Sequence, residues 1–332
     1  MQFIHRPKDV RNYPIWSRAS RREYSDPFCS GPIWQLSFHD AFSPKRRLLI
    51  AEEGNSAIAF AENRFFNGRV ILTPIEPLWF SGCPLLGKEA TELLGDALEY
   101  WRTCYSKGYP RILLSGILQG SVLEKRLLRM LRNEFDIYFH SIQESRSASL
   151  SGGMDGWLSR RSGNFRSKLK KSVRKAGEAG VTFERCVPDS PQMADALYER
   201  ILAVERTSWK GLQRCGIADN SPHTEFYQIM LQRLSVTGDA RIVMARLGNR
   251  DIGYIFGCLS GRKYRGQQCS YDEEWKSLSI GNLLQLETIR WLVEEGCSRY
   301  DMGPGNGDPA MAYKRHWAEK AIRTKTWLLE KN

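Results

Sequence analysis

The feature that most constrains the fold is a strand, a glycine-containing turn, an apolar helix and a second strand that follow one another around residue 280. The first strand ends at Gln268–Asp272, the turn spans Lys276–Asn282, and the helix continues to Glu295. The second strand is predicted at Arg299–Met302. The first amides of a helix have no intrahelical partners and point outward, so this order creates a socket for an anion. The pattern predicts a β-loop-α-β unit that can hold the phosphates of a nucleotide-bearing molecule.

Length and charge bound the class of protein. The 332 residues favour two domains of ordinary size, each able to bury its own core. The chain has 49 lysines and arginines against 37 acidic residues, which gives a net charge of +12. Such a balance favours a polyanionic partner, which includes nucleic acid, anionic lipid headgroups and phosphorylated substrates.

Targeting and redox signals are sparse. No stretch approaches the roughly 18 consecutive apolar residues of a membrane span, and the N-terminal residues lack the apolar core of a signal peptide. The eight cysteines include no CxxC pair and are expected to be buried, reduced thiols. These observations predict a cytoplasmic protein without a transmembrane segment.

A first domain is predicted over residues 1–150. It begins with an irregular arm that contains a short strand at Trp34–Phe38, and it ends in a small, polar linker at Ser145–Gly153. Between them, alternating and helical patterns predict the order β-β-β-α-β-α-β. The elements of this order are strands at Arg47–Ala51, Ser56–Glu62, Val70–Leu72, Arg111–Ser115 and Phe135–Ile142, with helices at Lys88–Gly108 and Ser121–Leu131. Leu78–Phe80 is a further strand candidate.

A second domain is predicted over residues 151–332, and its pattern is similar enough to suggest a second mixed α/β unit. Its helices are expected at Asn164–Ala179, Pro191–Lys210, Thr224–Ser235 and Asn282–Glu295. Its strands are expected at Val181–Arg185, Arg241–Leu247, Ile252–Leu259, Tyr264–Tyr271, Arg299–Met302 and Thr324–Leu329.

The stretch Arg160–Lys175 carries eight basic residues and no acidic one. A charge run is usually a solvated helix face. Here the helix lacks acidic partners four residues away, so its self-repulsion is uncompensated. We therefore weigh a second interpretation equally, in which the stretch binds an acidic polymer, RNA phosphates or lipid headgroups.

Other chemical templates are absent or incomplete. Gly82–Glu89 nearly matches a phosphate-binding P-loop, but Glu89 stands where the magnesium-binding Ser or Thr belongs, and Pro84 removes one amide. The sequence has no GxSxG and no HExxH, and its five histidines are far apart. Metal catalysis is therefore not expected.

The C-terminal motifs resemble the GNAT acyltransferase superfamily, and within it the CelD-like branch that is related to Fem-type peptidoglycan aminoacyltransferases. The resemblance is clear over about residues 155–332, and residues 46–142 resemble the degenerate first unit of that family. This sequence departs from the pattern of the family at Ile280-Gly281, where many relatives have Pro-Gly. The segments that carry it are Glu205–Lys210, Tyr271-Asp272, Gly281–Leu284, Gly296, Asp301–Gly305 and Tyr313–Trp317.

The resemblance implies an α/β fold, an α+β mixed sheet, with tandem GNAT-like domains. Two parallel strands, ending near Tyr271 and Met302, would splay apart to receive the pantetheine of acyl-CoA. The pyrophosphate would meet backbone amides of the turn that contains Ser277, Leu278, Ser279, Ile280, Gly281 and Asn282. No permanently bound cofactor is expected, and acyl-CoA is the implied donor substrate.

The implied reaction is direct attack of an acceptor amine or hydroxyl on a thioester or ester carbonyl. It requires a base, an acid for the leaving group and a group that stabilises the oxyanion. Tyr313 is the candidate acid and Lys314 the candidate charge stabiliser. Asp272 and Glu205 are candidate bases, whereas Asp301 is expected to orient the glycine-rich turn.

Two alternatives remain open. Fem-type relatives use aminoacyl-tRNA, whose phosphates suit the positive charge of Arg160–Lys175. The GNAT scaffold could instead serve as a non-catalytic module that binds an anionic polymer or membrane. The identity of the acceptor does not follow from the sequence, because a fold does not fix a substrate.

Overall fold

The computed structural model describes residues 4, 7, 9–22, 26–65, 69–105, 108–305 and 311–332. The strands are β1 (Leu48–Glu53), β2 (Ser56–Arg64), β3 (Val70–Pro74), β4 (Leu85–Leu86), β5 (Arg111–Leu118), β6 (Phe135–Ser149), β7 (Val181–Cys186), β8 (Ala240–Leu247), β9 (Arg250–Ser260), β10 (Lys263–Tyr271), β11 (Arg299–Pro304) and β12 (Lys320–Lys331). The helices are α1 (Pro14–Arg22), α2 (Pro32–Phe42), α3 (Ala90–Cys104), α4 (Val122–Leu131), α5 (Gly153–Ser159), α6 (Gly163–Glu178), α7 (Pro191–Thr207), α8 (Trp209–Leu212), α9 (Ser221–Thr237), α10 (Ile280–Glu294) and α11 (Lys314–Trp317).

The chain divides into two compact units. The first contains residues 1–144 and 322–332, and the second contains residues 145–321. The division differs from the predicted domains 1–150 and 151–332, because the last eleven residues belong to the first unit. The reason is a long-range pairing, in which Thr324 on β12 lies opposite Leu118 on β5.

The first unit is a mixed sheet with helices. Strands β1, β2 and β3 are antiparallel neighbours, β3 pairs with β5 in parallel, and β5 pairs with β12. Helix α3 connects β3 to β5 and buries Leu94, Ala97 and Trp101 in the core. These three residues recur at helical spacing, which is why the sequence predicted this helix.

The predicted irregular arm and its strand are wrong. Residues 14–22 and 32–42 are helices, and Trp34–Phe38 lies inside α2. Gly31 is the N-cap and Pro32 the first helical residue, which is a favoured helix start. Because five consecutive residues from Trp34 to Phe38 are buried, the helix has no polar stripe that reveals its period. Leu78–Phe80 was also predicted as a strand, but it is irregular backbone.

The second unit has an antiparallel meander of β7, β8, β9 and β10, followed by β11 in parallel with β10. The other neighbour of β11 is the C-terminal part of β6, where Ser149 lies opposite Arg299. The predicted linker Ser145–Gly153 is therefore wrong over residues 145–149. Ser147 is buried and accepts a hydrogen bond from Arg299 Nε, so these small, polar residues serve strand pairing.

Helix α10 connects β10 to β11 and is buried along most of its length. Leu284, Ile289 and Leu292 are fully buried. A helix that is apolar on most sides must be covered on most sides. This helix consequently has one fixed position behind the sheet, and its N-terminus is held at the ends of the two strands that it connects.

Candidate functional site

Strands β10 and β11 stop pairing halfway along their length. Their parallel register covers Lys263–Arg265 against Arg299–Asp301. Beyond Arg265 the register of β10 against β9 shifts at Gln267, which is a bulge. The edge of β10 from Gly266 to Tyr271 is thus open on the side where β11 would continue.

A cavity of about 420 Å³ occupies this opening. Ile255, Tyr271 and Met302 supply apolar wall, and the remaining lining mixes neutral polar and cationic groups. Among the described residues that line it, none is acidic and none is a histidine. The lining side chains with amide, phenol or ammonium groups are Lys210, Gln267, Gln268, Tyr271, Asn282, Gln285, Tyr300, Tyr313 and Lys314.

The start of α10 forms one side of the cavity. Ser279 has a left-handed backbone with φ of 58°, no side chain caps the helix, and its first turn contains no acidic residue. The amides of Ile280 and Gly281 are therefore the unpaired donors that every helix N-terminus carries. A β-carbon on Gly281 would lie 3.0 Å from Cε1 of Tyr271, so glycine allows the helix to approach the end of β10.

The six residues of the predicted phosphate turn are placed differently from one another. Ser279, Gly281 and Asn282 line the cavity. The side chain of Ile280 is fully buried in the core, and Leu278 is 7 % exposed in the same apolar cluster. Ser277 lies in a 3₁₀ helix, Glu273–Leu278, and its carbonyl accepts a hydrogen bond of 2.9 Å from Lys175 Nζ.

The structure brings Tyr313 and Lys314 to the cavity. Burial raises the pKa of the Tyr313 phenol above its ordinary value of 10.0, so the hydroxyl keeps its proton at neutral pH. Lys314 is buried, and its ammonium donates a hydrogen bond of 2.8 Å to the carbonyl of Pro304. Lys314 thus fastens the end of β11 in addition to lining the cavity.

The two predicted bases do not line the cavity. Asp272 is the N-cap of the 3₁₀ helix, where its Oδ1 accepts the Glu274 amide at 3.0 Å and its Oδ2 pairs with Arg250 Nη2 at 2.5 Å. Glu205 is fully buried near the end of α7. Its carboxylate accepts hydrogen bonds from Tyr254 Oη at 2.9 Å and from the Ile217 amide at 3.2 Å.

Asp301 orients the glycine-rich turn, as the sequence suggested. Its Oδ1 accepts a 2.8 Å hydrogen bond from the Gly303 amide, and its Oδ2 pairs with Arg299 Nη2 at 3.0 Å. Gly303 has φ of +70°, and a β-carbon there would lie 2.3 Å from Arg265 Nη1. Only glycine accommodates both this backbone and the neighbouring guanidinium.

Sequence reasoning missed Lys210, Gln268 and Gln285 as cavity residues. Lys210 belongs to the Glu205–Lys210 segment that carries the family resemblance, but only Glu205 of that segment was predicted as a site residue. Gln268 accepts from Lys210 Nζ at 3.2 Å and donates to Tyr227 Oη at 2.8 Å. Gln285 accepts from the Tyr300 hydroxyl. Glutamines inside a strand and a buried helix were the available signal, because such polar groups require partners.

The basic stretch is divided by the fold. Arg160 and Arg161 precede α6 and are structural, because both pair with Glu319 and Arg160 also binds the carbonyl of Ser149. The expectation that the helix lacks an acidic partner is wrong, since Arg174 lies 3.7 Å from Glu178. The stretch lies wholly within the described residues, and five of its exposed cations form no ion pair: Arg166, Lys168, Lys170, Lys171 and Lys175.

The described residues contain no group of three or more His, Cys, Asp or Glu side chains that could hold a metal ion. Among the helices of the same residues, none combines the length and the hydropathy that crossing a membrane requires.

Comparison with protein families identifies the second unit. Residues 163–315 match the family model described as an acetyltransferase (GNAT) domain. A search of curated proteins found no match.

Comparison with solved structures extends the similarity to almost the whole chain. FemX aligns at 10 % identity with a TM-score of 0.69, over 99 % of this chain and 97 % of its own. A conserved protein from Bacteroides thetaiotaomicron VPI-5482 aligns at 8 % identity with a TM-score of 0.68, over 99 % and 100 %. The C-terminal domain of a putative lysylphosphatidylglycerol synthetase from Agrobacterium fabrum aligns at 11 % identity with a TM-score of 0.59, over 97 % and 92 %.

At such identities the similarity concerns the fold. The predicted mixed α/β fold class is confirmed, and residues 163–315 match a GNAT domain.

Proposed function

We propose that this chain, which belongs to the GNAT superfamily through residues 163–315, transfers an acyl group from acyl-CoA to an amine or hydroxyl by direct attack. Acetyl-CoA is the simplest such donor. The observation that carries the proposal is the cavity of about 420 Å³ at the point where β10 and β11 stop pairing. An extended donor can enter there and form hydrogen bonds with the open edge of β10.

The donor's phosphates are assigned to the start of α10. The supporting observations are the absence of an acid in the first helical turn and the unpaired amides of Ile280 and Gly281. The partial positive charge of a helix N-terminus favours an anion by about 0.3–1 kcal/mol where it is exposed. Lys175, which touches the carbonyl of Ser277, adds a full positive charge beside the same turn.

Tyr313 is the proposed acid. A leaving thiolate requires a proton, and Tyr313 lines the cavity with its hydroxyl protonated at neutral pH. Lys314 is proposed to keep the end of β11 in place through its hydrogen bond to Pro304. Its positive charge is proposed to stabilise the negative charge that develops in the cavity during the reaction.

The charge of the cavity favours a neutral nucleophile. Two ammonium groups, from Lys210 and Lys314, lie in the wall. A nearby positive charge lowers the pKa of an incoming amine, so more of the amine is uncharged and able to attack. The described wall contains no carboxylate to act as a base, and the proton released by the acceptor is therefore assigned to solvent.

Isothermal titration with acetyl-CoA, together with thiol release in the presence of candidate amines, tests the proposal. We expect saturable, one-to-one binding that free CoA competes away. Absence of heat and of competition with acetyl-CoA, propionyl-CoA and CoA would refute an acyl-CoA donor.

A second candidate function is transfer from aminoacyl-tRNA. It is supported by α6, whose exposed cations continue from Lys175, at the donor turn, toward the start of the helix. Lys168, Lys171 and Lys175 recur at helical spacing and span about 10 Å along the axis, which suits successive phosphates. FemX and the lysylphosphatidylglycerol synthetase domain share the fold, which adds a lipid as a candidate acceptor.

The ratio of absorbance at 260 and 280 nm of the purified protein separates the donors. Bound RNA that resists moderate salt, followed by aminoacyl transfer from charged tRNA, would favour the second candidate. Tight binding of RNA or anionic vesicles without transfer from any donor would indicate a non-catalytic binding module.

A further inference from the structure

Among the described residues, Lys210 is one of the two cations in the cavity wall. It is the second residue of α8, and the N-cap of that helix is Ser208. The backbone of Ser208 forms a bridge with Asp272 at the end of β10. The side chain of Lys210 is 15 % exposed. Its remaining exposure is toward the cavity, which it lines.

The partners of its ammonium leave one donor position for a ligand. Lys210 Nζ donates to Gln268 Oε1 at 3.2 Å and to the carbonyl of Cys269 at 3.0 Å. A lysine ammonium has three donors. The carboxylate of Glu205 lies 4.0 Å away, which is attraction between charges without a hydrogen bond.

Glu205 is fixed by other groups. Tyr254 Oη, the Ile217 amide and Ser208 Oγ donate to its carboxylate at 2.9, 3.2 and 3.3 Å. Its position therefore does not depend on Lys210. A fully buried carboxylate at 4.0 Å instead attracts the ammonium of Lys210 and helps to hold it at one place in the wall.

That place is the open edge of β10. The amide of Asp272 bonds to Ile252 on β9, so alternation directs Ser270 to β9 and Cys269 to the opposite side. Cys269 lies beyond the last residues that pair β10 with β11. The ammonium bound to its carbonyl consequently lies where a donor arm along β10 would bring its acyl group.

We propose that Lys210 is a catalytic residue that binds the donor's carbonyl oxygen, and that Glu205 is its positioning residue rather than a base. This inference rests on the proposed acyl transfer. The acceptor's lone pair forms a bond to the carbonyl carbon, and the carbonyl π electrons move to oxygen, beside the Lys210 ammonium. When the C–O double bond reforms, the C–S bond breaks and the thiolate takes the proton of Tyr313. The acceptor loses its proton to solvent, and solvent reprotonates Tyr313.

The inference explains why this cation stays at the wall. A charge that stabilises an oxyanion is most effective when it is already in position before the reaction. Removal of one such donor costs about 10²–10³ in kcat. A lysine that served only to close the β10 edge would contribute to folding and would leave turnover unchanged.

The test compares Lys210→Met and Lys210→Arg with a matched control, Lys125→Met, on the exposed face of α4. We expect Lys210→Met to lower kcat by about 10²–10³ and Lys210→Arg to recover part of the loss. Affinity for free CoA, which has no acyl carbonyl, should stay within about twofold, which also establishes that the variant is folded. The preference for acetyl-CoA over CoA should disappear.

The positioning role of Glu205 is tested by a double-mutant cycle. Glu205→Gln should lower kcat in the wild-type background and have little further effect on kcat after Lys210→Met. Equal effects in both backgrounds would refute the positioning role.

Two results would overturn the Lys210 inference, and they are distinguishable. Wild-type turnover in a folded Lys210→Met variant would refute the catalytic role and leave acyl transfer in place. Absence of donor binding by the wild-type chain would refute the proposed function and the role of Lys210 with it.

Discussion

The two units contain the same connection, a strand followed by a helix and a parallel strand, with different outcomes. In the first unit β3 pairs with β5 at Leu72 and Ile112, and α3 connects them. In the second unit β10 pairs with β11 and α10 connects them. The second strand of each pair carries a glycine with positive φ, which is Gly116 in one and Gly303 in the other.

In the first unit the chain fills its own opening. We call residues 76–83 the filling segment. Its Gly82 carbonyl accepts a hydrogen bond of 2.5 Å from Ser115 Oγ on β5. A β-carbon on Gly116 would lie 2.6 Å from the carbonyl carbon of Gly82. No space for a ligand remains at this contact, whereas the corresponding region of the second unit is a cavity.

The helix starts differ in the same sense. Helix α3 has Glu89 as its N-cap and Glu92 in its first turn. The carboxylate of Glu89 accepts a hydrogen bond of 2.5 Å from Ser56 Oγ. Neither helix has a side-chain cap, but α10 has no acid at its N-cap or in its first turn. A shared connection therefore supplies only the frame for a site. The two units differ in whether the chain fills the gap and whether acids lie at the helix N-terminus.

The largest effect is expected from Tyr313→Phe, which removes the proposed acid and keeps the ring. Turnover should fall by about 10²–10⁴-fold with little change in stability, measured as thiol release with an active acceptor. Tyr138→Phe, at an exposed position of β6, is the control in the first unit. Equal activities of the two variants would remove the chemical distinction between the units.

The second effect concerns Glu76, which holds the filling segment. Its Oε1 accepts the Trp79 amide at 2.5 Å, and burial raises the pKa of its carboxyl from 4.5 to about 7. The folded state therefore binds more protons than the unfolded state between these pH values. Stability should decline as the pH rises from about 4.5 to about 7, by about 3 kcal/mol in total, and stay low above pH 7.

Denaturant unfolding at pH 5 and pH 8 measures this dependence. Glu76→Gln should remove most of it, because the amide does not titrate. The control is Glu53→Gln, at an exposed position of the same unit. If the free energy of unfolding of Glu76→Gln depended on pH as in the wild type, Glu76 would not be the group that causes this dependence.

Asn282→Asp makes the start of α10 resemble that of α3. Affinity for acetyl-CoA should fall by about tenfold, since two anions then compete for one helix N-terminus. Stability should stay equal or rise by about 0.3–1 kcal/mol, because an acid in the first turn suits the helix dipole. Calorimetry and thermal unfolding provide the two values.

The reciprocal variant is Glu92→Gln in α3. It should lower stability slightly and leave donor affinity unchanged. A loss of affinity in Glu92→Gln, or unchanged affinity in Asn282→Asp, would contradict the assignment of the phosphates to α10.

Charge reversal compares a helix of each unit. Lys168→Glu with Lys171→Glu on α6 should weaken RNA binding by about tenfold and make its logarithmic salt dependence shallower. Lys125→Glu with Arg129→Glu on α4 makes the same change of charge in the first unit and should have a smaller effect. Both double variants should melt near the wild-type temperature, because exposed charges contribute little to folding. Equal salt slopes for the two would reduce α6 to an ordinary solvated helix.

The smallest effect on catalysis is expected from Asp272→Asn. The amide keeps an oxygen for the Glu274 amide and loses the ion pair with Arg250, whose side chain is 54 % exposed. We expect a loss of at most about 1 kcal/mol in the free energy of unfolding and kcat within about twofold of wild type. A fall in kcat of a hundredfold would restore Asp272 as the base.

Local patterns predicted the frame of the site. Gly281, the apolar α10 and the Asp301 turn are contiguous in sequence, and their roles depend on neighbours a few residues away. Lys210 could not be found in this way, because its partners Gln268 and Cys269 lie 58 and 59 residues further along the chain. The same limit applies to β12, whose pairing with β5 joins the C-terminus to the first unit.

The candidate bases show the complementary limit of sequence reasoning. Asp272 and Glu205 were chosen because carboxylates often act as bases, but a carboxylate can equally satisfy a helix cap or anchor a buried lysine. Residue type is visible in the sequence, whereas the number of donors that already surround a carboxylate is not. Tyr313 and Lys314 reached the cavity because they follow β11 closely, which is a constraint that spacing can express.

Cys269, whose carbonyl binds Lys210, also places a thiol in the wall of the cavity. Burial raises the pKa of this thiol to about 12, so only about one molecule in 10⁵ carries a thiolate at pH 7. The thiolate is the nucleophilic form of cysteine. Under the proposed acyl transfer, a thioester in the cavity would lie beside a sulfur in its weakly nucleophilic thiol form. Burial of Cys269 would then disfavour self-acylation and leave the acyl group available to the acceptor.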